Sequence, residues 1–176
     1  MDLRPAFPTG ILIEAEDFDE LGGWVVDSQF ETQVGSPYLL AHGLGRPVAD
    51  ATTTIAGVEA GEYEVWVRTR DWAAPHAPGR FTLAIGDVTL ATEFGANGDA
   101  WSWQSAGKVA LQKGDLSLVL HDLTGFEGRC DAIFLSRGLA PPPNAVDDTS
   151  RAWRKALRGL PEEPIDAGEY WPAPIG

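Results

Sequence analysis

The chain has 176 residues, 44% of them hydrophobic, with 13 bases against 26 acids and a formal net charge of −13. That length and composition predict one domain with a substantial core, followed by a tail. The charge excludes nucleic acid and anionic membranes as partners, because no basic patch exists to neutralise phosphates, while the same acidity suits a bound divalent cation.

A single cysteine, Cys130, excludes an internal disulfide. The first residues, MDLRPAFPTG, contain no apolar core of a signal peptide, and no run approaches the roughly 18 apolar residues of a membrane span. The expectation is a soluble chain, with its compartment left open.

Residues 1–9 read as an N-terminal arm. From about residue 10 the pattern becomes short strands and turns. The stretch ILIEAEDF (11–18) begins apolar and then places Glu14 and Glu16 two residues apart. GEYEVWVRTR alternates, with Tyr63, Val65, Val67 and Thr69 on one face and Trp66, Arg68 and Arg70 on the other. Phe81, Leu83 and Ile85 share a face, as do Leu116, Leu118 and Leu120. In DAIFLS either Ile133 and Leu135 or Ala132 and Phe134 face the core. Period two over such lengths, punctuated by EAGEY, AIGD, FGANGD and QKGD, predicts half-buried strands. With no long helical stripe among them, the fold class is all-β, an antiparallel β-sandwich of jelly-roll type over residues 10–138.

Past that point the character changes. PPPN is a stiff linker, and DDTSRAWRKALRGL reads as a short helix with Trp153, Ala156, Leu157 and Leu160 at i, i+3, i+4 and i+7. That stripe is expected to pack on the outside of the sandwich. PEEPIDAGEYWPAPIG is an extended tail, so 139–176 forms linker, helix and tail.

Taken together, IEAEDF, GEYEVWVRTR and GRCDAIFLS resemble the jelly-roll carbohydrate-binding modules of families 6 and 35. Those modules open on an E-A-E strand, carry a central G-x-Y-x-V strand, and close on a strand with Asp before apolar residues. The resemblance covers about residues 11–136. It implies a structural calcium site at Glu14, Glu16 and Asp131. Calcium takes six to eight oxygens at about 2.3–2.6 Å. Alternate residues of one strand share a face, so Glu14 and Glu16 can meet one ion; the bland alternative is a row of surface acids.

A narrower likeness joins GSPYLLAHGLG, DATTTI, VWVRTRDW, PGRF, HDLTGFEGRCDAI and LPEEPIDAGEY. These resemble the jelly-roll segment ahead of the flavin domain in bacterial FAD-dependent oxidoreductases. The chain contains no G-x-G-x-x-G, so no FAD or NAD site is expected in it.

For a ligand, the strand-end loops offer two groups. RTRDWAAPHAPGR supplies Arg70, Asp71, Trp72 and His76, and HDLTGFEGR supplies His121, Asp122, Phe126 and Arg129. An aromatic face with forked polar groups is what a pyranose requires. The plainer alternative pairs Asp71 and Asp122 with Arg70 and Arg129, and packs Trp66, Trp101 and Trp103 in the core or under the helix. His42, His76 and His121 have no ligand spacing. The leading expectation is therefore non-catalytic binding of a carbohydrate or glycoside with structural calcium. The alternatives are an accessory domain or small subunit of an FAD-dependent oxidoreductase, or a stand-alone enzyme using the same cleft.

Overall fold

The computed structural model describes residues 10–28, 37–98 and 100–138. The N-terminal arm, the linker, the expected C-terminal helix and the tail lie outside the described residues.

Among the described residues, ten strands form two antiparallel sheets. In chain order they are β1 (Gly10–Glu14), β2 (Val25–Asp27), β3 (Tyr38–His42), β4 (Ala51–Val58), β5 (Gly61–Thr69), β6 (Phe81–Ile85), β7 (Val88–Thr89), β8 (Ser102–Leu111), β9 (Gly114–Asp122) and β10 (Phe126–Ser136). The larger sheet runs β2-β3-β10-β5-β8, with β1 also on β10; the smaller runs β4-β9-β6-β7. The expected antiparallel sandwich is what the chain forms, and no helix among the described residues is long and apolar enough to cross a membrane.

The alternating residues read from the sequence fill the space between the sheets. Tyr63, Val65 and Val67 from one side meet Phe81, Leu83, Leu118 and Leu120 from the other, all buried in one cluster. Burial of each large apolar side chain contributes about 1.5–3 kcal/mol, which makes this cluster the main source of stability. Trp24 and Phe94 close it through edge and tilted contacts with Phe81, at 5.5 and 5.6 Å between ring centroids.

β10 organises the larger sheet. Its first half pairs with β3 and its second half with β1, while β5 runs along its other edge. Against β5 the register slips between Cys130 and Ala132, leaving Asp131 as the extra residue of a β-bulge. The slip reverses the strand's parity: Cys130 faces the core, and beyond the bulge Ile133 and Leu135 do. Ala132 and Phe134 face the opposite side of the sheet, where they are buried as well, beside Leu12, Trp66 and Trp103.

Candidate functional site

Three loop segments meet at one rim of the sandwich: 42–46 from the end of β3, 70–79 after β5, and 123–128, which joins β9 to β10 and includes the first residues of β10. Glycine lets them approach. Gly43 and Gly45 both donate their N–H to the Gly125 carbonyl, at 3.0 and 3.2 Å. A Cβ on Gly125 (φ +70°) would stand 2.1 Å from the Arg46 carbonyl oxygen. The three described non-glycine residues with positive φ, Leu44, Ala77 and Glu127, all lie in these loops. Such backbone is costly for residues with a Cβ, and it clusters at binding and catalytic sites.

Two buried carboxylates hold the loops in place. Asp71 accepts the N–H of Ala73 and of Ala77, each at 3.1 Å, which closes the 71–77 turn. Asp122 accepts Val48 N–H at 2.9 Å and the N–H groups of Thr124 and Gly125, each at 3.1 Å. Both acids are committed to backbone amides, and neither pairs with Arg70 or Arg129. Their geometry shapes the rim.

Trp72 stands on that rim, 36% exposed, and its indole N–H donates to the Phe126 carbonyl at 2.7 Å. The guanidinium carbon of Arg129 lies 5.6 Å from its ring centroid, within cation–π range. Arg129 itself is buried and donates to the Glu127 carbonyl at 3.0 Å. Glu127 in turn meets His42 Nδ1 at 2.7 Å. Phe126 is 49% exposed and Leu44 82% exposed, so an apolar surface continues beyond Trp72. Sequence reasoning did not single out Leu44, Glu127 or the His42–Glu127 pair as ligand-binding residues. Their signal was the placing of non-glycine residues inside G-L-G and G-F-E-G, where the backbone turns left-handed.

The remaining expected residues are less unified. Arg70 is half-buried just past the end of β5. His76 is exposed, its N–H closing a turn onto the Ala73 carbonyl at 2.9 Å. His121 points away from the core on the smaller sheet, where its Nδ1 meets Asp50 at 2.8 Å. The three histidines thus have separate engagements and form no metal-binding group among the described residues.

Below the rim, Tyr38 packs against Trp101 at 4.9 Å between centroids and donates its hydroxyl to Asp27. Burial, followed by the Asp27 carboxylate, pushes the Tyr38 hydroxyl up to about 12, so it stays a donor.

A second constellation lies on the outer face of the larger sheet. Carboxylate oxygens of Glu14, Glu16 and Asp131 lie within 4.8 Å of one another. The sequence placed Glu14 and Glu16 on one strand face. In the structure β1 ends at Glu14, and Glu16 comes from the 3-10 turn Ala15–Asp17, which curls it back toward Glu14. Asp131 arrives from the bulge of β10. It is fully buried and accepts Arg68 Nη1 at 3.1 Å, with Arg68 only 2% exposed. Burial, then the charges of Glu14 and Asp131, push the Glu16 carboxyl up to about 10. Its Oε1 is buried without a hydrogen-bond partner. Burial and the same acids raise the neighbouring Cys130 thiol well above its usual range.

No protein-family model matches the chain, and no curated protein matches it by sequence. Solved structures do. A GH26-CBM35 β-(1,4)-mannanase from Podospora anserina aligns at TM-score 0.58 with 24% identity, over 76% of this chain and 29% of the mannanase. A family 35 carbohydrate-binding module from Clostridium thermocellum aligns at 0.56 with 15% identity, over 72% of this chain and 97% of the module. The C-terminal CBM6 of a laminarinase from Zobellia galactanivorans aligns at 0.55 with 17% identity, over 73% of this chain and all of the module. The fold is that of carbohydrate-binding modules. At these identities the likeness to the modules is one of architecture, and the roles of individual residues rest on the geometry above.

Proposed function

We propose that this chain is a non-catalytic carbohydrate-binding module that takes its ligand on the loop rim and holds a structural calcium ion at the acid cluster. The observation that carries the proposal is the platform of Trp72 and Phe126. These aromatic faces are half open, and buried groups hold the backbone beneath them. An apolar face suits the C–H side of a pyranose, and its low conformational freedom keeps the entropic cost of binding small. Arg70, His76 and the His42–Glu127 pair offer polar groups for hydroxyls around it. Arg129 stiffens Trp72, and Asp71 and Asp122 fix the loops; His121 serves a neighbouring surface at Asp50.

The acid cluster fits a hard divalent cation. Its donors are all carboxylate oxygens, the Oε1 of Glu16 among them buried without a hydrogen-bond partner, and Asp131 also meets Arg68. Calcium there would tie β1, the 3-10 turn and β10 together, which is a structural role.

The test is a glycan-array screen of the purified chain with calcium and with chelator, followed by titration of any hit. Binding that Trp72→Ala abolishes supports the module. Absence of any glycan binding, with affinity instead for an FAD-dependent oxidoreductase, would assign the chain to the accessory role. Turnover of a bound glycoside would make it an enzyme.

A further inference from the structure

We infer that the outer face of the larger sheet is the docking surface for the C-terminal segment of this same chain, residues 150–160. The sheet's rows give the surface. Leu12, Phe134 and Trp66 stand abreast on β1, β10 and β5. In the next row Trp103 reaches across to Phe134, with ring centroids 6.3 Å apart. Leu12, Ala132 and Phe134 are buried there, on the side away from the inter-sheet core. The indole N–H groups of Trp66 and Trp103 are buried without an acceptor. A face with these properties does not belong against water.

Reach and size choose the occupant. β10 ends at Ser136, two residue pairs beyond the Leu12–Phe134 row, so the chain leaves the sheet beside the patch. Residues 139–149 can span up to roughly 36 Å when extended, ample to turn back over the sheet. The sequence predicts a helix within DDTSRAWRKALRGL (147–160), with Gly159 as its stop, at most about 20 Å long. The four strands β1, β10, β5 and β8 span three interstrand spacings, about 14 Å. Its Trp153, Ala156, Leu157 and Leu160 make one apolar stripe.

Charge agrees. The segment carries Arg151, Arg154, Lys155 and Arg158 and no acid, in a chain of net charge −13. Glu62 and Glu64 border the patch on β5, with Glu64 in the row of Ser136. Docking closes this face to other ligands and leaves the rim open, and it holds whether or not the rim binds a sugar.

Site-directed disulfides in the full chain test it, since Cys130 is fully buried and does not compete. Ser105 is exposed on the β8 margin, opposite Trp66. In S105C/A156C an intramolecular disulfide should form at monomer mass. At micromolar protein it should exceed intermolecular bridging by about a hundredfold, because tethering supplies millimolar effective concentration. S105C/K155C, with its cysteine on the opposite side of the predicted helix, should not cross-link. Equal cross-linking in both pairs, or none in either, overturns the proposal. Bridging only between molecules would assign the face to a second copy. As an independent readout, Leu157→Asp should increase acrylamide quenching of tryptophan fluorescence; unchanged quenching also overturns the proposal.

Discussion

Arg129 holds its guanidinium 5.6 Å from the centre of the Trp72 ring, while the Trp72 indole donates to the carbonyl of Phe126, three residues ahead of Arg129 on the same strand. Trp72 is thereby fixed at both its face and its edge by β10. If it is a stacking platform, Trp72→Ala should weaken sugar binding by about 2 kcal/mol or more, roughly thirtyfold in Kd, with little change in melting temperature. Titration of a bound glycan against parent and variant measures this. Equal affinity in a folded variant would remove Trp72 from the site.

Asp122→Ala should act on the fold before it acts on any ligand. It strands three backbone N–H donors at 2.9–3.1 Å that meet in a fully buried carboxylate. Unsatisfied buried donors cost about 1–3 kcal/mol each, so a loss of about 3 kcal/mol or more is expected in urea unfolding. A loss under ~1 kcal/mol would show that water replaces the carboxylate.

Gly125→Ala should be more damaging than its one added methyl suggests. The position has φ +70°, and the new Cβ would meet the Arg46 carbonyl oxygen at 2.1 Å. Left-handed backbone and overpacking together predict a loss of about 2–4 kcal/mol. Glycine at this position is also what lets 42–46 and 123–128 touch, so ligand binding should fall with stability.

The acid cluster gives a pH dependence with a definite sign. In the metal-free protein burial pushes the Glu16 carboxyl up to about 10, against about 4.5 in the unfolded chain. Between those values the folded state holds a proton that the unfolded state has released, so stability falls as pH rises across that window. Calcium, if it binds, should reverse the trend at pH 8 and expel the proton. At a hundredfold excess over Kd it should add about 2.7 kcal/mol. Thermal melts at pH 5 and pH 8, with EDTA and with calcium, read both effects; identical calcium and EDTA midpoints at pH 8 would count against the metal.

Much of the sandwich was legible because alternation is a direct imprint of the pleat. Tyr63, Val65 and Val67, like Leu116, Leu118 and Leu120, fell on the face the pattern named. β10 resisted because both of its faces are buried and its parity changes at Asp131, so no single alternation describes it. Glu14, Glu16 and Asp131 do lie together, but not as one strand face brings them. A spacing of two suggested one strand face, whereas the chain brings Glu16 back through a 3-10 turn. The rim was harder to read. Asp71 and Asp122 look like ligand groups in a sequence, and only the positions of the backbone amides reveal that the loops consume them.

The place of β10 in the chain sets a schedule for synthesis. It is the shared neighbour of β1, β3 and β5, yet Ser136, which faces Gly10, is made last among them. At roughly 5–20 residues per second, β1 waits on the order of 10 s on the ribosome for β10, its one strand partner among the described residues. Until then the larger sheet cannot close, and the apolar faces of β3 and β5 remain open to other nascent chains. Expression yield should therefore respond to slower translation, or to chaperones that shield nascent strands, more than to changes in the rim.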